Sequence, residues 1–194
     1  MNIKKILAIT IVVLAVFSCL SVASAGWFDF LTGEQFLQGD DAQVKIPSNY
    51  TIDEKKVFAS CNGINITFTP QKSTDNKFET EFFNAIKENG KEAGYENVTN
   101  RTVNGYTIHD FAGHPSKLKN MTVTTQVPGS DYAWIEYPPE LAAPFDHPVD
   151  HFRSVTFIKD GKEHVLLIST NNATTNLYTP EIEGIINSIG PLKK

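Results

Sequence analysis

The chain has 194 residues, with 17 Lys plus Arg against 22 Asp plus Glu and two Cys. A formal charge of -5 provides no basic footprint to displace phosphate counterions, which excludes nucleic acid as a partner. Two cysteines exclude a disulfide-stapled miniprotein, and the Gly and Pro contents are those of a chain that folds around a core.

Residues 1–25 read as a secretory signal peptide. Lys4 and Lys5 precede an apolar run from Ile6 to Val22, and Ala23-Ser24-Ala25 supplies small residues before a cleavage point. Two other readings compete: an uncleaved anchor, for which the run is slightly short of the roughly 20 residues of a span, and lipidation at Cys19, against which stands the bulky Phe17. Cleavage after Ala25 predicts a secreted, extracellular or cell-surface protein with no stable membrane span and Cys61 as its single thiol. Cys61 reads as a small apolar residue on a strand.

Residues 26–42 form an aromatic lead-in with Trp27, Phe28, Phe30, Leu31, Phe36 and Leu37. It is expected to form a short helix docked on the domain, or else a sticky arm. Residues 43–194 are expected to fold as a single α+β domain, which at this length buries about 70% of the surface of its unfolded chain.

Three hairpins punctuate that domain. Val57–Cys61 and Ile64–Thr69 flank Asn62-Gly63, Asn97–Val103 and Tyr106–Phe111 flank Asn104-Gly105, and Ser154–Ile158 and Glu163–Thr170 flank Asp160-Gly161. Asn-Gly and Asp-Gly tolerate positive φ at both central positions of a two-residue turn. Shorter strands fit 43–46, 121–126 and 132–136. In Val165-Leu166-Leu167-Ile168 both faces are apolar, which marks a central strand.

Two helices are expected. Phe78, Phe82, Phe83 and Ile86 recur at helical spacing, with Asp75 as cap and Gly90 as the stop. Near the C-terminus Thr179 caps, Pro180 opens the helix, Glu181 complements its dipole, and Ile182, Ile185, Ile186 and Ile189 form one stripe. Hairpins with helices packed on them give a mostly antiparallel α+β sandwich.

Several segments resemble the PsbP/Mog1-like superfamily of α/β/α sandwiches: Ile46-Pro47-Ser48-Asn49-Tyr50, the hairpin through Ile66-Thr67-Phe68, the Phe82 helix, the hairpin through Phe157 and Leu167, and Glu183–Ile189. The resemblance spans Gln43 to Ile189, carries no catalytic motif, and implies an accessory or interaction role rather than an enzyme. The leader and the sequons described next also make the chain similar to small exported proteins of archaea.

Asn49, Asn65, Asn97, Asn100, Asn120 and Asn172 each open an Asn-x-Thr sequon, where chance gives about two. Asn49, Asn97, Asn100, Asn120 and Asn172 are the glycosylation candidates, because Asn65 falls inside a predicted strand.

Asp146-His147-Pro148-Val149-Asp150-His151 is the sharpest local cluster. If Asp146 caps a helical turn, His147 and His151 share a face and can reach one divalent metal, with His109 and His114 as further ligands if the fold brings them near. Pro148 makes an extended loop an equal expectation. Ser116 beside His114, or Cys61 with a distant His, is the nearest approach to a nucleophile and its base. Glu79 with Glu81 and Asp40 with Asp41 read as solvated faces. Tyr132, Trp134 and Glu136 alternate along one strand face, an arrangement that packs a core edge or stacks on a sugar ring. The sequence thus predicts no cofactor and a non-enzymatic, N-glycosylated interaction module for a protein or surface-glycan partner. The alternatives are a metal-binding protein or metal-dependent hydrolase built on His147 and His151, and a carbohydrate-binding module built on Trp134 and Tyr132.

Overall fold

The computed structural model describes residues 34–71, 77–125, 133–137 and 148–192. The predicted leader, Asp75, Tyr132, Asp146 and His147 lie outside the described residues. The elements in chain order are β1 (Gln35–Gln38), β2 (Ala42–Ile46), β3 (Thr51–Ile52), β4 (Phe58–Cys61), β5 (Ile64–Gln71), α1 (Lys77–Ala93), β6 (Tyr95–Val103) and β7 (Tyr106–Gly113). A single 3-10 turn (Pro115–Lys117) then leads to β8 (Met121–Thr125), β9 (Ala133–Tyr137), β10 (His151–Lys159), β11 (Lys162–Thr170), α2 (Pro180–Asn187) and β12 (Gly190–Pro191).

Seven strands form the main sheet, in the order β3-β4-β5-β11-β10-β7-β6, with every pairing antiparallel. The three predicted hairpins are its frame. Their turns have the positive φ that the sequence requires: 49° and 78° at Asn62-Gly63, 51° and 80° at Asn104-Gly105, and 51° and 75° at Asp160-Gly161. Val165–Ile168 lies on β11, fourth of the seven strands, as its two apolar faces predict. The α+β class is that of the sequence reading.

A large apolar cluster covers one sheet face. Ile66, Phe68, Ile108, Val155, Phe157, Leu166 and Ile168 meet the buried Ile182, Ile185, Ile186 and Ile189 of the C-terminal helix region and Leu37, Val44 and Ile46 of the sheet β1-β2-β12. Thr179 caps α2 as expected, its hydroxyl accepting from the Ile182 N–H at 3.3 Å. Tyr50 donates its hydroxyl to Glu181 at 3.0 Å on the same helix. The opposite face packs Phe111 and Phe152 against Phe82, Phe83, Ala85 and Ile86 of α1. Cys61 is half-buried at the end of β4 and packs on the first cluster.

Two expectations are corrected. Residues 35–38 are a strand with Leu37 fully buried, so this end of the lead-in joins a sheet instead of a docked helix. Helix α1 continues past Gly90 to Ala93, and Gly94 ends it at φ 92°. A Cβ on Gly94 would lie 2.9 Å from the Lys117 carbonyl oxygen. Gly94→Ala should therefore cost more than about 1 kcal/mol, measured as a lower urea midpoint at unchanged m.

Candidate metal centre

The register of the main sheet builds the site. Phe152 of β10 pairs with Gly113 of β7, so His151 and His114, one step further along each strand, face each other on the same side. Their rings stack with centroids 4.4 Å apart and an interplanar angle of 13°. Both side chains are largely buried, at 8% and 9% residue exposure.

On the neighbouring strand, β6, Glu96 pairs with Ala112 and Thr99 with Asp110, a bulge that adds one residue to β6. Asn97 absorbs it at φ 53°, a conformation that Asn tolerates better than most residues. Bulges re-aim side chains and recur beside functional sites. Here Glu96 Oε1 comes 3.8 Å from His114 Nε2. One ligand atom from each of Glu96, His114 and His151 lies within 4.8 Å of the others.

The hydrogen bonds decide what those atoms are. His114 Nδ1 is 2.7 Å from the Asp150 carbonyl oxygen, and His151 Nδ1 is 3.1 Å from the Thr175 carbonyl oxygen. A carbonyl only accepts, so each Nδ1 carries the proton and donates it. In its neutral form each ring then presents a lone pair at Nε2. His151 Nε2 is buried without a hydrogen-bond partner among the described residues. Burial pushes the His151 pKa below its ordinary value. The neighbouring His114 and Lys117 add to this, against the opposing effects of the Thr175 carbonyl and Glu96. Burial thus favours the neutral form of the ring, the form that can ligate a metal.

Two imidazole nitrogens backed by carbonyls and one carboxylate are the donor set of a borderline divalent metal. Zinc bonds of about 2.0–2.1 Å would bring tetrahedral ligands to roughly 3.4 Å from one another. Closure on a metal therefore tilts the parallel rings toward a common point. Glu96, whose side chain is 47% exposed, has room to follow.

The predicted pair of His147 and His151 is only half represented. His151 opens a strand instead of closing a helical turn, and its partner is His114, across the sheet. His109 sits on the other sheet face, bonded to Glu79 at 2.9 Å and stacked on Phe83 at 3.9 Å. Ser116 is exposed in the 3-10 turn, whereas the His114 nitrogens face Asp150 and Glu96. Glu79 is therefore not a solvated carboxylate, and neither is Asp41. The Asp41 carboxylate bonds His164 Nε2 at 2.7 Å and pairs with Lys162, closing a cleft of about 190 Å³ with Tyr106, Lys159, Asp160 and Pro191. His164 stacks on Phe68, so this cluster ties the β1–β2 turn to the tip of the β10–β11 hairpin.

Asn49, Asn97, Asn100, Asn120 and Asn172 are exposed, while Asn65 is half-buried on β5. Trp134 pairs with Thr124 in the separate β8-β9 ribbon. No helix among the described residues is long and apolar enough to cross a membrane.

No protein-family model and no curated protein matches the chain. Among solved structures it is similar to the solution structure of cyanobacterial PsbP (CyanoP) from Synechocystis sp. PCC 6803. Identity is 9% over 83% of this chain and 94% of that one, with a TM-score of 0.43. The likeness is remote, so function has to be argued from the residues of the chain itself.

Proposed function

We propose that this chain is an exported binding module that holds a divalent transition metal, with zinc as the default ion, through Glu96, His114 and His151. One observation carries the reading: the Nδ1 atoms of both histidines are committed to backbone carbonyls, which leaves each Nε2 free to act as a donor atom, in a group whose ligand atoms lie within 4.8 Å of one another beside a carboxylate, a set that suits a divalent cation. The ligands come from or directly follow three neighbouring strands, β10, β7 and β6, so the site is part of the sheet's own frame. Export rests on Lys4-Lys5, the apolar run and Ala23-Ser24-Ala25, and surface glycosylation rests on the Asn-x-Thr sequons. The role is binding; hydrolysis would require, beyond the three ligands, a base to activate a metal-bound water.

The test is a native mass spectrum of the protein purified from its own source, followed by zinc titration against a chromophoric chelator. The expected result is a chain beginning at Gly26 that carries glycan increments and close to one equivalent of metal. The His114→Ala/His151→Ala double variant should lose the metal. Stoichiometric metal retained by the double variant, or no uptake by the native protein, would overturn the reading.

A further inference from the structure

We propose that the metal held by Glu96, His114 and His151 carries an anionic oxygen ligand of a small molecule, a carboxylate or a phosphate, with the ammonium of Lys117 as the second positive charge the anion meets. The proposal rests on the metal reading above and concerns what the metal presents outward. Three protein ligands leave at least one position of a tetrahedral shell open. The two histidines are buried and Glu96 is the half-exposed member, so the open position lies on the Glu96 side, toward solvent. A divalent ion with two neutral imidazoles and one carboxylate keeps a net positive charge, which selects an anionic donor for that position.

Lys117 follows His114 by three residues. It ends the 3-10 turn that begins directly after His114, and its N–H donates to the His114 carbonyl at 2.8 Å. Its own carbonyl is pressed against Gly94, two residues before Glu96, so closely that only glycine fits there. The backbone of Lys117 is therefore held between the strand ends that supply two of the three ligands, and its side chain is exposed. A metal centre flanked by one lysine is a two-point site for an oxyanion, one oxygen on the ion and one facing the ammonium.

The experiment uses the full chain loaded with cobalt(II), whose visible bands report coordination. Inorganic phosphate and acetate are titrated separately into native, Lys117→Ala and Lys117→Glu proteins, with metal occupancy measured in parallel. Saturable band shifts in the native protein are expected, weakened about five- to tenfold by Lys117→Ala and further by Lys117→Glu. The stronger of the two anions identifies the donor group. Bands insensitive to both anions in fully loaded protein, or anion affinities equal in all three proteins, would overturn this proposal while leaving the metal reading intact. Failure of the native chain to take up cobalt or zinc would overturn both.

Discussion

Arg153→Ala is expected to destabilise the fold by about 3–5 kcal/mol, the cost of breaking a buried ion pair from one side. The Arg153 side chain is 1% exposed and grips Asp110 with two bonds, Nε to Oδ1 at 2.9 Å and Nη2 to Oδ2 at 2.6 Å. Nη1 donates to the Leu177 carbonyl at 2.9 Å and lies 2.6 Å from Glu183 Oε1. The Tyr178 ring covers the guanidinium at 4.1 Å from its centroid, and burial pushes the Tyr178 hydroxyl up to about 12. One side chain thus joins β7, β10, the 171–179 segment and α2. Alanine would strand Asp110, itself 1% exposed, with Arg101 at 4.0 Å as its remaining cation among the described residues.

Arg153→Met with Asp110→Leu, which removes both charges and keeps the volume, should recover most of that loss. Arg153→Lys should not, because an ammonium cannot reproduce the two-pronged bond. Urea unfolding of the four proteins checks the order. If Arg153→Ala cost less than about 1 kcal/mol, the network would be incidental to the fold.

The same network sets an acid limb. Burial raises the Glu183 carboxyl pKa, but the bonds from Arg153 and Arg101 outweigh it and hold the pKa below the ordinary 4.5. Because the folded value is the lower one, the unfolded chain takes up the proton first. This stabilisation is complete above about pH 4.5 and is lost as the pH falls through the folded value. Glu183→Gln should remove that component of the acid transition, leaving a shallower fall in urea midpoint below pH 4.5.

How much of this was legible in the sequence follows from the range of each interaction. The hairpins were readable because Asn-Gly and Asp-Gly impose their φ values within two residues. Helix α2 was readable because Thr179, Pro180 and the isoleucine stripe are all local. Gly90 misled because its reason is packing: a Cβ there would come 3.0 Å from the Ile86 methyl and 3.3 Å from Tyr95. The strand at 35–38 was missed because its identity comes from its partner, β2.

The metal centre shows the same division. His114 and His151 were recognisable as ligand types, and alternation along β7 already separates His109 from His114 by face. Their meeting depends on β10 lying beside β7, a pairing of Phe152 with Gly113 across a sequence separation of 39, which no local pattern encodes. Glu96 gave no cue, since a bulge that redirects one carboxylate is decided by the register of the finished sheet.

Loss of metal binding in single-ligand variants is the second large effect. His151→Ala and His114→Ala should each weaken zinc by about two orders of magnitude or more, because second-shell losses alone cost 10–100-fold. Glu96→Gln should weaken zinc while leaving the amide oxygen as a poorer donor. Zinc at about 100 times its Kd should stabilise the native chain by about 2.7 kcal/mol. For a domain of this size that is a rise in Tm of roughly 5–11 °C, and it should vanish in either histidine variant.

His109→Phe is the control that separates a metal site from a general need for histidine. His109 sits against Glu79 and Phe83 on the other face of the sheet. Its replacement should lower stability and leave the zinc-dependent rise in Tm in place. Equal loss of that rise in His109→Phe and His151→Ala would mean that zinc is held elsewhere. A rise lost only with Glu96, His114 and His151 would tie the ion to the point where β6, β7 and β10 bring their three donors together.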